Sequence, residues 1–257
     1  MSARPAVAAA LAVVLAGCGG RLAARPAPAP ADELPDLVAA PPSHVTVGTL
    51  YAGGHYHSYL GFNTRVTNRG PGALDLVGHR RPGSAVMVAD QLVHRRGAAP
   101  RVVRGVAWLR FERKGHGHWH LLPFASYELR SADGGRLRMR GRKQGFCIDG
   151  FSVGLVAARP RMPTSCGEGC PHALSVHEEL GVGEADEYGR FLAGQSIFLD
   201  GVPAGRYDLV LAFNRTRRLR ERDYANDIAT TVVRLADTAG VATVQTLRTC
   251  RHAPPCD

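Results

Sequence analysis

Three histidines at alternate positions are the first residues in this chain with chemistry in their spacing. Residues 115–120 read Gly-His-Gly-His-Trp-His, which puts His116, His118 and His120 at i, i+2 and i+4. On a β-strand three such side chains project from one face, at intervals of roughly 7 Å. Neighbouring imidazoles placed this way can converge on one metal ion, and neutral imidazole suits copper, zinc, iron or nickel. The spacing predicts a metal site and leaves the metal open; the blander reading is a surface histidine cluster. Gly117 and Trp119 face the other way, and Trp119 is expected in the core. His55 and His57 form a second i, i+2 pair without a third histidine, in a Gly-rich context that reads as a loop or edge strand. His172 and His177 lie between Cys170 and Tyr188 and read as loop histidines that could sit near the site.

A histidine strand needs a sheet to hold it, and the rest of the chain supplies the pattern for one. Tyr207, Leu209, Leu211 and Phe213 share one face, with Asp208 and Ala212 opposite. Phe62, Thr64 and Val66 alternate before the turn Asn68-Arg69-Gly70-Pro71-Gly72, and Gly201 to Gly205 form a turn before the Tyr207 strand. Residues 106–111, 137–140 and 230–235 also carry period-two patterns. With 30 glycines and 17 prolines, many turns joining short strands are expected. The best short helix candidate is Ala85 to His94. The fold class predicted is all-β, an antiparallel β-sandwich with long loops.

The chain has 257 residues, 45% of them hydrophobic, enough for a leader and one domain with a real core. Its formal net charge of +10 favours acidic partners such as anionic polymers, lipid headgroups or acidic proteins. No block of five or more like charges appears, so a nucleic-acid-binding arm, and nucleic acid as a partner, are not expected.

Arg4 and the Ala/Val/Leu run to Ala16 precede Leu15-Ala16-Gly17-Cys18. A short apolar run ending in small residues reads as a secretory signal. The cysteine directly after Leu-Ala-Gly resembles a bacterial lipoprotein signal, in which Cys18 would be acylated and hold the protein on the outer face of a membrane. The alternative is an ordinary cleaved signal. The expected organisation is a signal peptide over 1–17, a Pro/Ala-rich tether over 18–32 and one domain over 33–257. Secretion permits disulfides. With Cys18 lipidated, Cys147, Cys166, Cys170, Cys250 and Cys256 remain; Cys250 can close a small loop with Cys256, Cys147 can pair with Cys166 or Cys170, and one thiol is left over.

With these elements in place the sequence resembles the lysyl oxidase family. The resemblance rests on His116-Gly117-His118-Trp119-His120 followed by Phe124 and Tyr127-Glu128-Leu129; on Lys143-Gln144-Gly145-Phe146-Cys147-Ile148-Asp149; on Asp186-Glu187-Tyr188-Gly189; on Val202 to Tyr207; and on Arg222-Asp223-Tyr224-Ala225-Asn226-Asp227. It covers roughly residues 34–235, with the five motifs in family order. It implies copper held by His116, His118 and His120, and a lysine tyrosylquinone cofactor built from Lys143 and Tyr188. The implied activity is oxidation of primary amines, of small molecules or of lysine side chains in proteins, by O2 to aldehydes, with release of hydrogen peroxide and ammonia. The chain departs from the family where vertebrate members carry a cysteine shortly after the tyrosine; Gly194-Gln195-Ser196 stands near that place.

This chemistry asks for a neutral lysine, which burial or a nearby cation favours, and Arg140 and Arg142 are the local cations. It also asks for a general base. Asp186, two residues before Tyr188, is the candidate, against a plain role as a cap or turn carboxylate. Asp223, Tyr224 and Asn226 read as structural. Two other functions fit part of the pattern. One is a non-catalytic copper-binding surface lipoprotein; the other is a zinc hydrolase, although no glutamate base lies within the histidine motif.

Overall fold

The computed structural model describes residues 30–113, 117–133, 135–141, 143, 145–148, 150–152, 166–238 and 241–256. The signal peptide, most of the tether and Cys18 lie outside them, as do His116, Arg142 and Asp149.

Among the described residues the chain is all-β. In order the strands are β1 (Asp32–Glu33), β2 (Leu37–Ala39), β3 (Ser43–Ala52), β4 (His55–Asn68), β5 (Leu74–His79) and β6 (Val86–Arg95). Next come β7 (Ala98–Glu112), β8 (His118–Leu122), β9 (Ala125–Ser131), β10 (Leu137–Arg140), β11 (Phe151–Ser152) and β12 (Ser175–Leu180). The last are β13 (Glu184–Tyr188), β14 (Ser196–Phe198), β15 (Gly205–Phe213), β16 (Ile228–Thr238) and β17 (Val241–Cys250).

They form three antiparallel sheets around one core. The first runs β12-β5-β6-β7-β8, with β1 against β6; the second runs β10-β9-β15-β16-β17. The third is built on β4, which carries β2 and β3 along one edge and β13 and β14 along the other. The alternation of Phe62, Thr64 and Val66 is used as expected, since all three are buried. Asn68 ends β4 and caps its turn: its side-chain oxygen accepts the amides of Asp36 and Gly70, each at 3.0 Å, and its amide nitrogen donates to the carbonyls of Gly72 and Leu180. Gly72 is required in this turn, because a Cβ there would stand 1.8 Å from the Glu33 carbonyl oxygen.

The short helix candidate from Ala85 to His94 is instead the strand β6. Met87, Ala89, Gln91 and Val93 are fully buried, while Val86 and Val88 are about two-fifths exposed. That is period two, and the β-branched valines favour a pleated strand over a helix.

Aromatic rings tie the sheets together. Phe62 of β4 meets Tyr127 of β9 edge-on at 5.0 Å between centroids, and Tyr127 meets Phe146 at 6.2 Å. Phe146 also packs on Phe124, which packs on Phe213 of β15. Each such pair adds about 0.5–1.5 kcal/mol beyond the area it buries. Two disulfides, Cys147–Cys166 and Cys250–Cys256, settle the pairing that the sequence left open, and Cys170 is the exposed free thiol among the described cysteines.

Candidate active site

Strand β8 lies at an edge of its sheet, with His120 opposite Arg110 and His118 opposite Glu112 of β7. Its other edge is covered by loop backbone. Leu121 and Phe146 exchange both amide-to-carbonyl bonds, at 2.8 and 3.2 Å, and the Trp119 amide donates to the Cys166 carbonyl at 2.8 Å. Trp119 is buried as expected, edge-on to Phe111, with its indole N–H donating to the Cys170 carbonyl at 3.1 Å.

His118 and His120 leave the opposite face together. Their Nε2 atoms are 2.9 Å apart, and His120 is buried. Two imidazole nitrogens stand this close when they share a proton or when both are directed at one cation. Among the described residues no three His, Cys, Asp or Glu side chains gather to hold a metal ion, and His116 lies outside those residues. The two convergent nitrogens fit the donor set that a copper ion needs, with His116 as the third ligand expected from the sequence.

Lys143 comes from the loop that crosses behind β8. Gly141 is bound to the Tyr127 carbonyl at one end of the loop, and Phe146 is bridged to Leu121 at the other. Gly145 between them sits so close to the strand that a Cβ would lie 2.9 Å from His120 Cβ. The Lys143 side chain is only 9% exposed, and its Nζ is 4.8 Å from the centroid of the Tyr188 ring and 5.1 Å from that of Phe146. Burial lowers its pKa, against the opposing pull of Asp186 and Glu112. The nearby-cation explanation is corrected for Arg140, whose Nε lies 3.5 Å from Glu128 Oε1, away from the lysine; Arg142 lies outside the described residues.

Tyr188 ends β13, opposite Thr64 of β4. Its ring stands edge-on to Phe146 at 4.7 Å, and its hydroxyl donates to the Cys147 carbonyl at 2.5 Å. Burial, then the charges of Asp186 and Glu178, push its phenol well above the ordinary tyrosine range. Asp186 is buried in the middle of β13, opposite Val66, and shares a face with Tyr188. It is neither a helix cap nor a turn residue, and its charge acts on both Lys143 and Tyr188.

The segment after Tyr188 closes over the lysine. A Cβ at Gly194 would lie 3.2 Å from Lys143 Cβ. Gln195 is fully buried, accepts the Tyr127 hydroxyl at 2.9 Å and donates to Thr64 Oγ1 at 2.9 Å. Sequence reasoning passed over Glu112, Phe146 and Gln195, which lie inside quoted segments or beside them but have no periodic or motif signal of their own. His177 lies elsewhere, on β12, where it and His94 hold the two oxygens of Asp75 at 2.7 and 2.9 Å. His57 is the third residue of β4 and bonds Asp200 at 2.7 Å. Asp223, Tyr224 and Asn226 are structural, as read: Asp223 accepts the Ala225 amide, Tyr224 donates to the Leu219 carbonyl, and Asn226 donates to Asp36.

The fold and site together define an all-β protein with a desolvated lysine packed against a tyrosine ring, one loop crossing away from a pair of converging histidines. A scan against protein-family models finds no match, and no curated protein matches the chain.

Proposed function

We propose that this chain is a copper-dependent amine oxidase of the lysyl oxidase type, acting on primary amines, with a lysine tyrosylquinone formed from Lys143 and Tyr188. The observation that carries the reading is the buried contact between Lys143 Nζ and the Tyr188 ring. These two residues are 45 positions apart in the chain. His118 and His120, with His116, would hold the copper; when bound, copper and quinone would supply oxygen activation and the electron sink for converting a primary amine, O2 and water to an aldehyde, hydrogen peroxide and ammonia.

The chain's own residues have separate tasks in this reading. Burial lowers the Lys143 pKa and so disfavours its ammonium form next to the ring. Phe146 and the Cys147 carbonyl fix the plane and the hydroxyl of Tyr188. Asp186 is the carboxylate positioned to take a proton at its Oδ atoms. The Gly194–Gln195 turn shields the pair from water. Lipidation of Cys18 and the Pro/Ala tether would hold the domain outside a bacterial membrane.

The test is peptide mapping by mass spectrometry after copper loading in air. The peptides carrying Lys143 and Tyr188 should appear covalently joined, and the joined species should vanish in Lys143→Arg and in Tyr188→Phe. Added primary amine should release peroxide from the wild type alone. Separate peptides with copper demonstrably bound would sink the oxidase reading and leave a copper-binding surface lipoprotein.

A further inference from the structure

The sheet that presents Tyr127 and Leu129 to the core presents alternate residues on its outer side, and there the chain builds a second chamber. Its floor is β15 and β16, and its roof is the loop closed by Cys250–Cys256, which brings Ala253, Pro254 and Pro255 over the sheet. Thr230 Oγ1 donates to the His252 carbonyl at 2.8 Å, and an Arg248 nitrogen donates to the Cys256 carbonyl at 3.1 Å, so the roof is fastened. The cavity beneath it measures about 560 Å³, the size of a small-molecule site. Small apolar side chains pave the floor.

Two charged groups face this space with valence to spare. Asp208 is 4% exposed, and among the described residues its carboxylate makes no hydrogen bond or ion pair; its neighbour Arg206 acts on it only at a distance. A buried carboxylate without a partner is costly unless a cation or donor reaches it. Arg215 gives Nη1 to Glu128 Oε1 at 2.6 Å, and among the described residues its Nε and Nη2 donors, on a half-exposed side chain, have no partner. Glu128 itself is satisfied, since Arg130 grips its other oxygen through Nε at 2.8 Å and Nη2 at 2.6 Å. Asp208 and Arg215 are therefore the acceptor and the donor left to a ligand.

We infer that this chamber binds a small zwitterion of the amino-acid class, its ammonium on Asp208, its carboxylate on Arg215 and its apolar part on Val210, Ala212 and Ile228. The site lies across the sheet from Lys143 and does not depend on the oxidase reading. Only a ligand carrying both charges answers both groups, because a simple amine leaves Arg215 unused and a simple carboxylate leaves Asp208 desolvated and unpaired.

The test is calorimetric titration of the full-length chain without copper, so that no oxidation contributes heat. The probes are L-phenylalanine, phenethylamine, which lacks the carboxylate, and hydrocinnamate, which lacks the amine. Phenylalanine should bind at one site per chain, and each truncated probe should bind at least about ten-fold more weakly. Asp208→Asn should bring phenylalanine down to the level of hydrocinnamate, and Arg215→Gln to the level of phenethylamine. Circular dichroism should show both variants folded, since Asp208→Asn breaks no bond of that carboxylate and Arg215→Gln, which gives up one ion pair of Glu128, leaves that glutamate held by Arg130. Absence of heat from phenylalanine overturns the assignment. So does a truncated probe that binds as tightly, or phenylalanine binding that survives both substitutions.

Discussion

Leu121 and Phe146 exchange two backbone hydrogen bonds, and that bridge sets the registry between the histidine strand and the lysine loop. It turns the Phe146 ring onto Tyr188 while the preceding residues carry Lys143 over the same ring. Disturbing this bridge should therefore affect both halves of the site at once.

Gly145→Ala is the smallest such disturbance. The added methyl would stand 2.9 Å from His120 Cβ and Leu122 Cδ2, so the loop must move off the strand. A cost of about 1–3 kcal/mol is expected from overpacking, read by urea denaturation. On the oxidase reading proposed above, copper affinity and the yield of a Lys143–Tyr188 cross-link should fall together. A fall in stability with an unchanged cross-link would separate the loop from the chemistry.

The two disulfides should differ in what they protect. Cys147–Cys166 joins residues 19 apart and Cys250–Cys256 joins residues 6 apart. By loop-closure entropy, paired serine substitutions should cost about 3 kcal/mol for the first and about 2 kcal/mol for the second. On the oxidase reading, loss of the first should also impair cross-linking, because the Cys147 carbonyl holds the Tyr188 hydroxyl and the Cys166 carbonyl holds the Trp119 amide. The second should leave cross-linking intact.

Glu221 and Asp227 predict a pH dependence. Both are buried and hydrogen-bonded to each other; burial, with mutual repulsion at Asp227, raises both pKa values well above the ordinary carboxylate range. A raised folded-state pKa means that the fold binds protons more tightly than the unfolded chain does. The stabilisation is full at acid pH and is lost as pH rises through the folded values. In a chelating buffer, so that no cation neutralises the pair, the denaturation midpoint should drop between about pH 5 and about pH 9. Asp227→Asn should flatten that drop and stabilise the alkaline end.

Phe191 is 85% exposed on the segment that follows Tyr188, its ring lying against Gly189. Phe191→Ala should change stability by no more than about 0.5 kcal/mol. If the oxidase reading holds, it should raise KM for an apolar primary amine several-fold and leave kcat unchanged, as loss of a substrate-side contact does. Steady-state peroxide assays with a short alkyl amine measure both.

Much of the local structure was legible in the sequence. The alternation at 62–66 and 207–213, the turns at 68–72 and 201–205, and the opposed faces of Trp119 and His118/His120 all follow from period two and turn chemistry, which depend on neighbours in the chain. The short helix candidate over Ala85 to His94 failed because a short run of valines between alanines fits both periods until its burial is known, and His177, read as a loop histidine, lies on a strand. The sequence also named Lys143 and Tyr188 by resemblance, but no pattern within either segment says that they touch. That was decided by tertiary structure. Lys143 reaches Tyr188 because its loop pairs with β8 while β13 pairs with β4, and Phe146 fills the gap between the sheets. The same holds for the Cys147–Cys166 pairing, for Gln195 under the site and for Asp208 facing a cavity. A strand's alternation tells which side chains share a face; only the partners that cover that face determine whether it becomes core, active site or chamber.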